Sequence, residues 1–180
     1  MADPSASDAN ASPLAALSAW QGLGEAQFEA LQQLARRSSS AAVETSERNA
    51  ADAALAWFDR TVAVHQRVEE EALIPELIES MAGSDPVCLR ELAAVATAGY
   101  RSVESLWQRL RPACAALSRG TSAMLDADVV TALIDACRAT FECAERELVA
   151  IAERLLDDAA LARLQARLQT LERAARTSTD

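Results

Sequence analysis

The chain's one histidine, His65, stands four positions before a carboxylate in His65-Gln66-Arg67-Val68-Glu69-Glu70-Glu71. On a helix that spacing is about one turn, so the imidazole and the Glu69 carboxylate share a face. Ring nitrogen and carboxylate oxygen from facing helices are the donors with which bundles hold metal ions. They are equally an ordinary buried hydrogen-bonded pair, and one His-x-x-x-Glu does not choose between the two. The four cysteines (Cys88, Cys114, Cys137, Cys143) show no C-x-x-C spacing and are read as thiols packed like small hydrophobes. Cys137 and Cys143, six apart, point about 120° from each other around a helix axis, too far around to pair. Glu142 and Glu145 flank Cys143 and would raise a thiol pKa rather than activate it. The sequence contains no Gly-rich phosphate loop and no G-x-S-x-G, so hydrolase chemistry has no support.

The elements that must position these groups follow from periodicity. Ser12 before Pro13 is a helix start, and Leu17, Trp20, Phe28, Leu31 and Leu34 predict a first helix from 13 to about 38. The Ser/Ala-rich stretch 38–45 breaks the pattern. Ala54, Trp57, Phe58, Thr61, Val62, His65, Glu69 and Leu73 then trace one face of a second helix, which Pro75 is expected to end or kink, with a last turn or two before Gly83. Asp85 with Pro86 starts a third, whose stripe includes Leu89, Ala96, Tyr100, Val103 and Trp107. Pro112 is expected to kink its last turns, and Gly120 to stop it. Asp126 caps a fourth, with Val129, Leu133, Thr140, Ala144 and Leu148 inward, reaching about Leu156. Asp157 or Asp158 opens a fifth with a seam of Leu161, Leu164, Leu168 and Leu171. That seam either lies along the bundle or pairs with a second subunit in a homodimer.

Composition fixes the class. The chain has 51% hydrophobic but only 4% aromatic residues and five each of Gly and Pro, which suits Ala- and Leu-rich helices and excludes an all-β fold. The expectation is an all-α, up-down-up-down four-helix bundle with an additional C-terminal helix. Its divisions are a disordered N-terminal tail at 1–12, a bundle at 13–157, a C-terminal helix at 158–176 and a tail at 177–180. The net charge of −10 repels phosphate backbones and anionic headgroups, so neither nucleic acid nor a membrane surface is expected as partner. No apolar run approaches the roughly 20 residues that cross a bilayer, and the polar opening is unlike a signal peptide, so a cytoplasmic location is expected. All 17 basic residues are Arg, which with abundant Ala points to a GC-rich bacterial genome.

The segment from His65 through Glu69-Glu70 to Pro75 resembles the hemerythrin-like family, whose second helix carries H-x-x-x-E-E and then proline. Trp57-Phe58-Asp59 resembles the lead-in to that motif. The run Tyr100 to Pro112 is similar to the family's third helix, and the run Arg146 to Asp158 to the end of its fourth. The likeness covers about residues 14–168. It implies a four-helix bundle around a non-haem di-iron centre, held by several histidines and two bridging carboxylates, that binds or senses oxygen. Position by position, the resemblance sets family histidines on Trp20, Tyr100 and Thr140, and leaves only His65, Glu69 and Glu145 in place.

One histidine cannot furnish the nitrogen ligands that two irons require. The reading is a degenerate site: a non-catalytic binding or regulatory bundle, not an enzyme, with no cofactor and a protein or small molecule as partner. Trp20 would fill the vacated space, while His65, Glu69, Tyr100 and Thr140 form one buried hydrogen-bonded group. The alternative is a sensor that holds one iron or zinc ion on His65, Glu69, Glu145 and Tyr100.

Overall fold

The computed structural model describes residues 12–37, 42–81 and 87–177, the side chains of residues 16, 19–23, 145 and 175–177 excepted. The described residues are helical apart from short connections, and none is in a strand. Among the described residues there are five continuous helical runs: α1 (Pro13–Ala35), α2 (residues 45–80), α3 (Val87–Ser118), α4 (residues 127–155) and α5 (Asp158–Thr177). Three stretches wind as π-helix: Trp57–Val62 and Glu69–Leu73 in α2, and Ala144–Val149 in α4.

Local chemistry explains most boundaries. α1 begins at Pro13 as expected but ends at Ala35, short of residue 38. Arg37 leaves the helix there because its buried guanidinium bonds Ser122 Oγ and the Ala123 carbonyl, both at 3.1 Å, and pairs with Glu47. α2 starts on a capping box in which the Glu44 backbone N–H donates to Glu47 Oε2 at 2.9 Å. Gly120 (φ 77°) stops α3 in a Schellman arrangement, its N–H bonding the Leu117 carbonyl while Thr121 N–H bonds that of Ala116. Asp126 Oδ1 accepts from the N–H groups of Asp128 and Val129, and Asp157 Oδ1 accepts from that of Ala160. Both fourth-helix and fifth-helix starts are therefore capped as the sequence predicts. Asp85 and Pro86 lie outside the described residues, as does the N-terminal stretch 1–11.

Two prolines lie inside their helices. Pro75 does not end its helix, which runs on to Ser80, because the wider π turn at Glu69–Leu73 directly before it accommodates the ring. α3 likewise runs through Pro112 to Ser118. Among the thiols, Cys114 and Cys137 are buried as expected, but Cys143 is only partly covered and Cys88, in the first turn of α3, is exposed.

α1 packs on α2 and α4, and α3 packs on the same two, so the first four helices close a ring. The core has two lobes. One is aromatic-rich, with Phe28, Trp57, Phe58, Trp107 and Phe141 beside Leu31 and Leu133. The other is aliphatic, with Leu17, Leu73, Leu77, Ala144 and Leu148. α5 lies along α1 and the second half of α2, with Leu164 and Leu168 buried in the aliphatic lobe. Of the two placements open to the leucine seam, the intramolecular one is occupied.

Candidate functional site

Between the two lobes sits a layer of polar side chains: His65 and Glu69 from α2, Tyr100 from α3 and Thr140 from α4, all buried. His65 and Glu69 face inward, as their spacing predicts, and His65 Nε2 donates to Glu69 Oε1 at 2.8 Å. The imidazole is wedged between rings, stacked on Phe141 (centroids 5.6 Å apart, 28° between planes) and edge-on to Tyr100 at 6.2 Å. Two π segments bracket His65 along α2, and the third lies on α4 directly after the Thr140 turn. Such irregular turns concentrate at functional sites, because the extra residue per turn re-aims side chains.

The four polar groups do not make the single hydrogen-bonded cluster that the sequence suggests. Thr140 Oγ1 donates instead to the Ala136 carbonyl of its own helix at 2.8 Å. Gly99 of α3 permits the approach, since a Cβ there would lie 2.5 Å from Thr140 Oγ1. Tyr100 Oη and Glu69 Oε2 are both enclosed and make no well-formed hydrogen bond, although the phenol lies close enough to the Glu69 carboxylate to interact with it. Burial, followed by the negative charge of Glu69, holds the Tyr100 phenol protonated well above its ordinary range. The side chains of Trp20 and Glu145, the remaining positions singled out from sequence, lie outside the described set, although both residues belong to helices. Ala144, next to Glu145, is buried and inward.

A second buried carboxylate escaped the sequence reading. Glu76, wholly enclosed, is paired with Arg163 of α5, with Arg167 3.9 Å from its other oxygen. Its signal was present, for Glu76 lies one heptad after Glu69 and hence on the same face of a helix that continues past Pro75. On the surface, Asp59 accepts from Trp107 Nε1 at 2.7 Å and pairs with Arg111, while Arg67 pairs with Glu71. The buried thiols Cys114 and Cys137 are pushed up to about 12 by desolvation. These are packed, unreactive groups.

Among the described residues no three His, Cys, Asp or Glu side chains converge to hold a metal ion. No described helix is long and apolar enough to cross a membrane. Comparisons with protein-family models, curated proteins and solved structures find no match to the chain.

Proposed function

We propose that this chain is a hemerythrin-like, up-down-up-down four-helix bundle that has lost its di-iron centre and works as a non-catalytic binding or regulatory module. The observation that carries this reading is the use of its one histidine. His65 is bonded to Glu69 in a layer that also holds Tyr100 and Thr140, two positions where the resemblance sets metal-binding histidines. The ring of four helices, with short connections from α3 to α4 and from α4 to α5, is the packing such a bundle has.

The residues present do not fit a pair of irons. The chain offers one imidazole, Thr140 is bonded to its own backbone, and the Tyr100 phenol is held neutral. Protein expressed with added iron and exposed to air is expected to carry well under one iron per chain, without oxo-bridged absorption in the near ultraviolet and visible. Two irons per chain would overturn the reading. Trp20→His, Tyr100→His and Thr140→His together should raise iron uptake, since bundle geometry is what turns scattered imidazoles into a site.

One observation favours a second reading. Glu69 Oε2 and Tyr100 Oη make no well-formed hydrogen bond and share the buried layer with His65, and with Glu145 these would be the donors of a mononuclear iron or zinc site. Metal analysis of protein purified without chelator separates the two, at near one equivalent for this reading and near none for the first.

A further inference from the structure

α3 lies against α4 along residues 127–143, where Gly99 meets Thr140, but touches little of Ala144–Val149, and residues 150–155 lie against the end of α2 instead. The π turn thus stands where the two helices part. Between the first turns of α3 and the last turns of α4 the gap is an open groove of about 720 Å³. Its walls are apolar. Cys88, Leu92 and Val95 of α3, at i, i+4 and i+7, line it opposite Ile151 and Leu155 of α4, with Met81 just past α2. Much of this surface is open to water: Val95 is 59% exposed, Leu155 41%, and Val87, directly before Cys88, 46%. Among the described residues only Met124 is another large apolar side chain so exposed, so three of the four gather on one face.

The charges of the groove are set end to end. Arg154 and Glu147 line it about two turns apart on α4, Glu91 lines it at mid-length on α3, and none of the three has an ion-pair partner among the described residues. A rim that carries both signs selects neither a cation nor an anion. It is complementary to its own copy, because a two-fold axis crossing both helices lays each antiparallel on its counterpart. Arg154 then meets the partner's Glu147, and Cys88 meets the partner's Val95. Counted from the contact of Gly99 with Thr140, the midpoint of Cys88 and Val95 lies about 11 Å along α3, and that of Glu147 and Arg154 about 16 Å along α4, less the shorter rise of the π turn. One axis can therefore cross both. Glu91 alone is badly placed, next to the axis and against its own copy.

We propose that the face formed by the start of α3 and the end of α4 is a self-association surface, at which two copies of the chain pair about a two-fold axis with Arg154 of each on the partner's Glu147. It is a different surface from the leucine seam of α5, whose Leu164 and Leu168 are buried within the chain. The chain's charge of −10 opposes association at long range. Physiological salt screens that repulsion beyond about 8 Å and leaves the short contacts to decide. The patch spans only some two turns of each helix, so the dimer is a weak one. It is built on exposed residues and stands whatever the buried layer at His65 holds.

The test is sedimentation equilibrium of the full chain at physiological salt, over a concentration series reaching millimolar. A reversible monomer–dimer equilibrium is expected. Val95→Glu and Leu155→Glu should each abolish it, whereas Met124→Glu makes the same change at an exposed apolar residue outside the groove and should leave it unaltered. Arg154→Glu should weaken the dimer about tenfold or more, and adding Glu147→Arg in the same chain should recover most of the loss. Glu91→Gln should tighten the dimer severalfold, because it relieves the repulsion beside the axis. A chain that is monomeric at every concentration overturns the proposal. If that monomer makes anilinonaphthalene sulfonate fluoresce and Val95→Glu abolishes the signal, the groove is a pocket for a small apolar ligand instead. A dimer indifferent to Val95→Glu, or weakened equally by Met124→Glu, places the contact elsewhere. A charge swap without recovery, or weakening by Glu91→Gln, refutes the two-fold pairing.

Discussion

A buried polar layer is only as stable as its least satisfied atom, and in this chain that atom is on Glu69. Its Oε1 is held by His65 at 2.8 Å and its Oε2 makes no well-formed hydrogen bond. His65→Ala would leave the buried carboxylate with only the loosely placed Tyr100 phenol beside it, which should lower stability by about 1 to 3 kcal/mol even with chelator present. Thermal melts check this, and an unchanged midpoint would contradict the burial of the pair. A sharper case is Gly99, where an added methyl meets Thr140 Oγ1 at 2.5 Å and Cγ2 at 3.1 Å. Gly99→Ala should therefore destabilise by about 1 to 3 kcal/mol through overpacking. Thr140→Ala removes both offending atoms. The double variant should recover much of the loss, so that the cycle shows a coupling of about 1 kcal/mol or more. Strict additivity in denaturant melts would show that α3 and α4 are not in contact at this layer.

At the scale of the element, α5 is fastened at one charged point on an otherwise aliphatic seam. Glu76 is fully enclosed while Arg163 is about half exposed, so solvent screens part of the pair. Arg163→Ala is expected to destabilise the chain by less than the usual loss for a broken buried pair. The damage should be local, seen as faster hydrogen exchange in α5 than in α1 to α4. Adding Glu76→Gln, which removes the stranded charge, should restore part of the protection. If Glu76→Gln deepens the loss instead, the carboxylate is not what suffers. Much of the element level was legible in the sequence, because caps and stop signals are local chemistry. Asp126, Asp157 and Gly120 act where their types say they should. Whether Pro75 would end its helix or stay within it was not legible, since a proline ends a helix only when its ring clashes, and a π turn that accommodates it depends on the packing around Glu69–Leu73. The inward pair His65 and Glu69 was legible from spacing alone, whereas the private bond of Thr140 and the parting of α3 and α4 arise from packing across helices, which no single helix encodes.

Across the whole molecule, two apolar lobes enclose acidic protons that the unfolded chain would release more readily. Cys114 lies in the aromatic-rich lobe, as does Cys137, and burial pushes both from an ordinary 9.0 up to about 12. The buried Tyr100 phenol moves in the same direction from 10.0. At pH 7 all three are protonated in both states and contribute almost no pH dependence. Between 9 and about 12 the unfolded chain binds fewer protons than the folded one, so stability falls as pH rises. The slope reaches about 1.4 kcal/mol per pH unit for each fully shifted thiol. Denaturant melts at about pH 8 and about pH 10.5 should therefore show a loss on the order of 2 to 4 kcal/mol from the two thiols. Cys114→Ala with Cys137→Ala lowers stability at both pH values by opening small cavities, yet it should flatten the alkaline decline by that amount. The slope, not the absolute stability, is thus the readout. Parallel declines in the wild type and the double variant would mean that solvent reaches these thiols in the folded chain, and that the aromatic-rich lobe is looser than its packing implies.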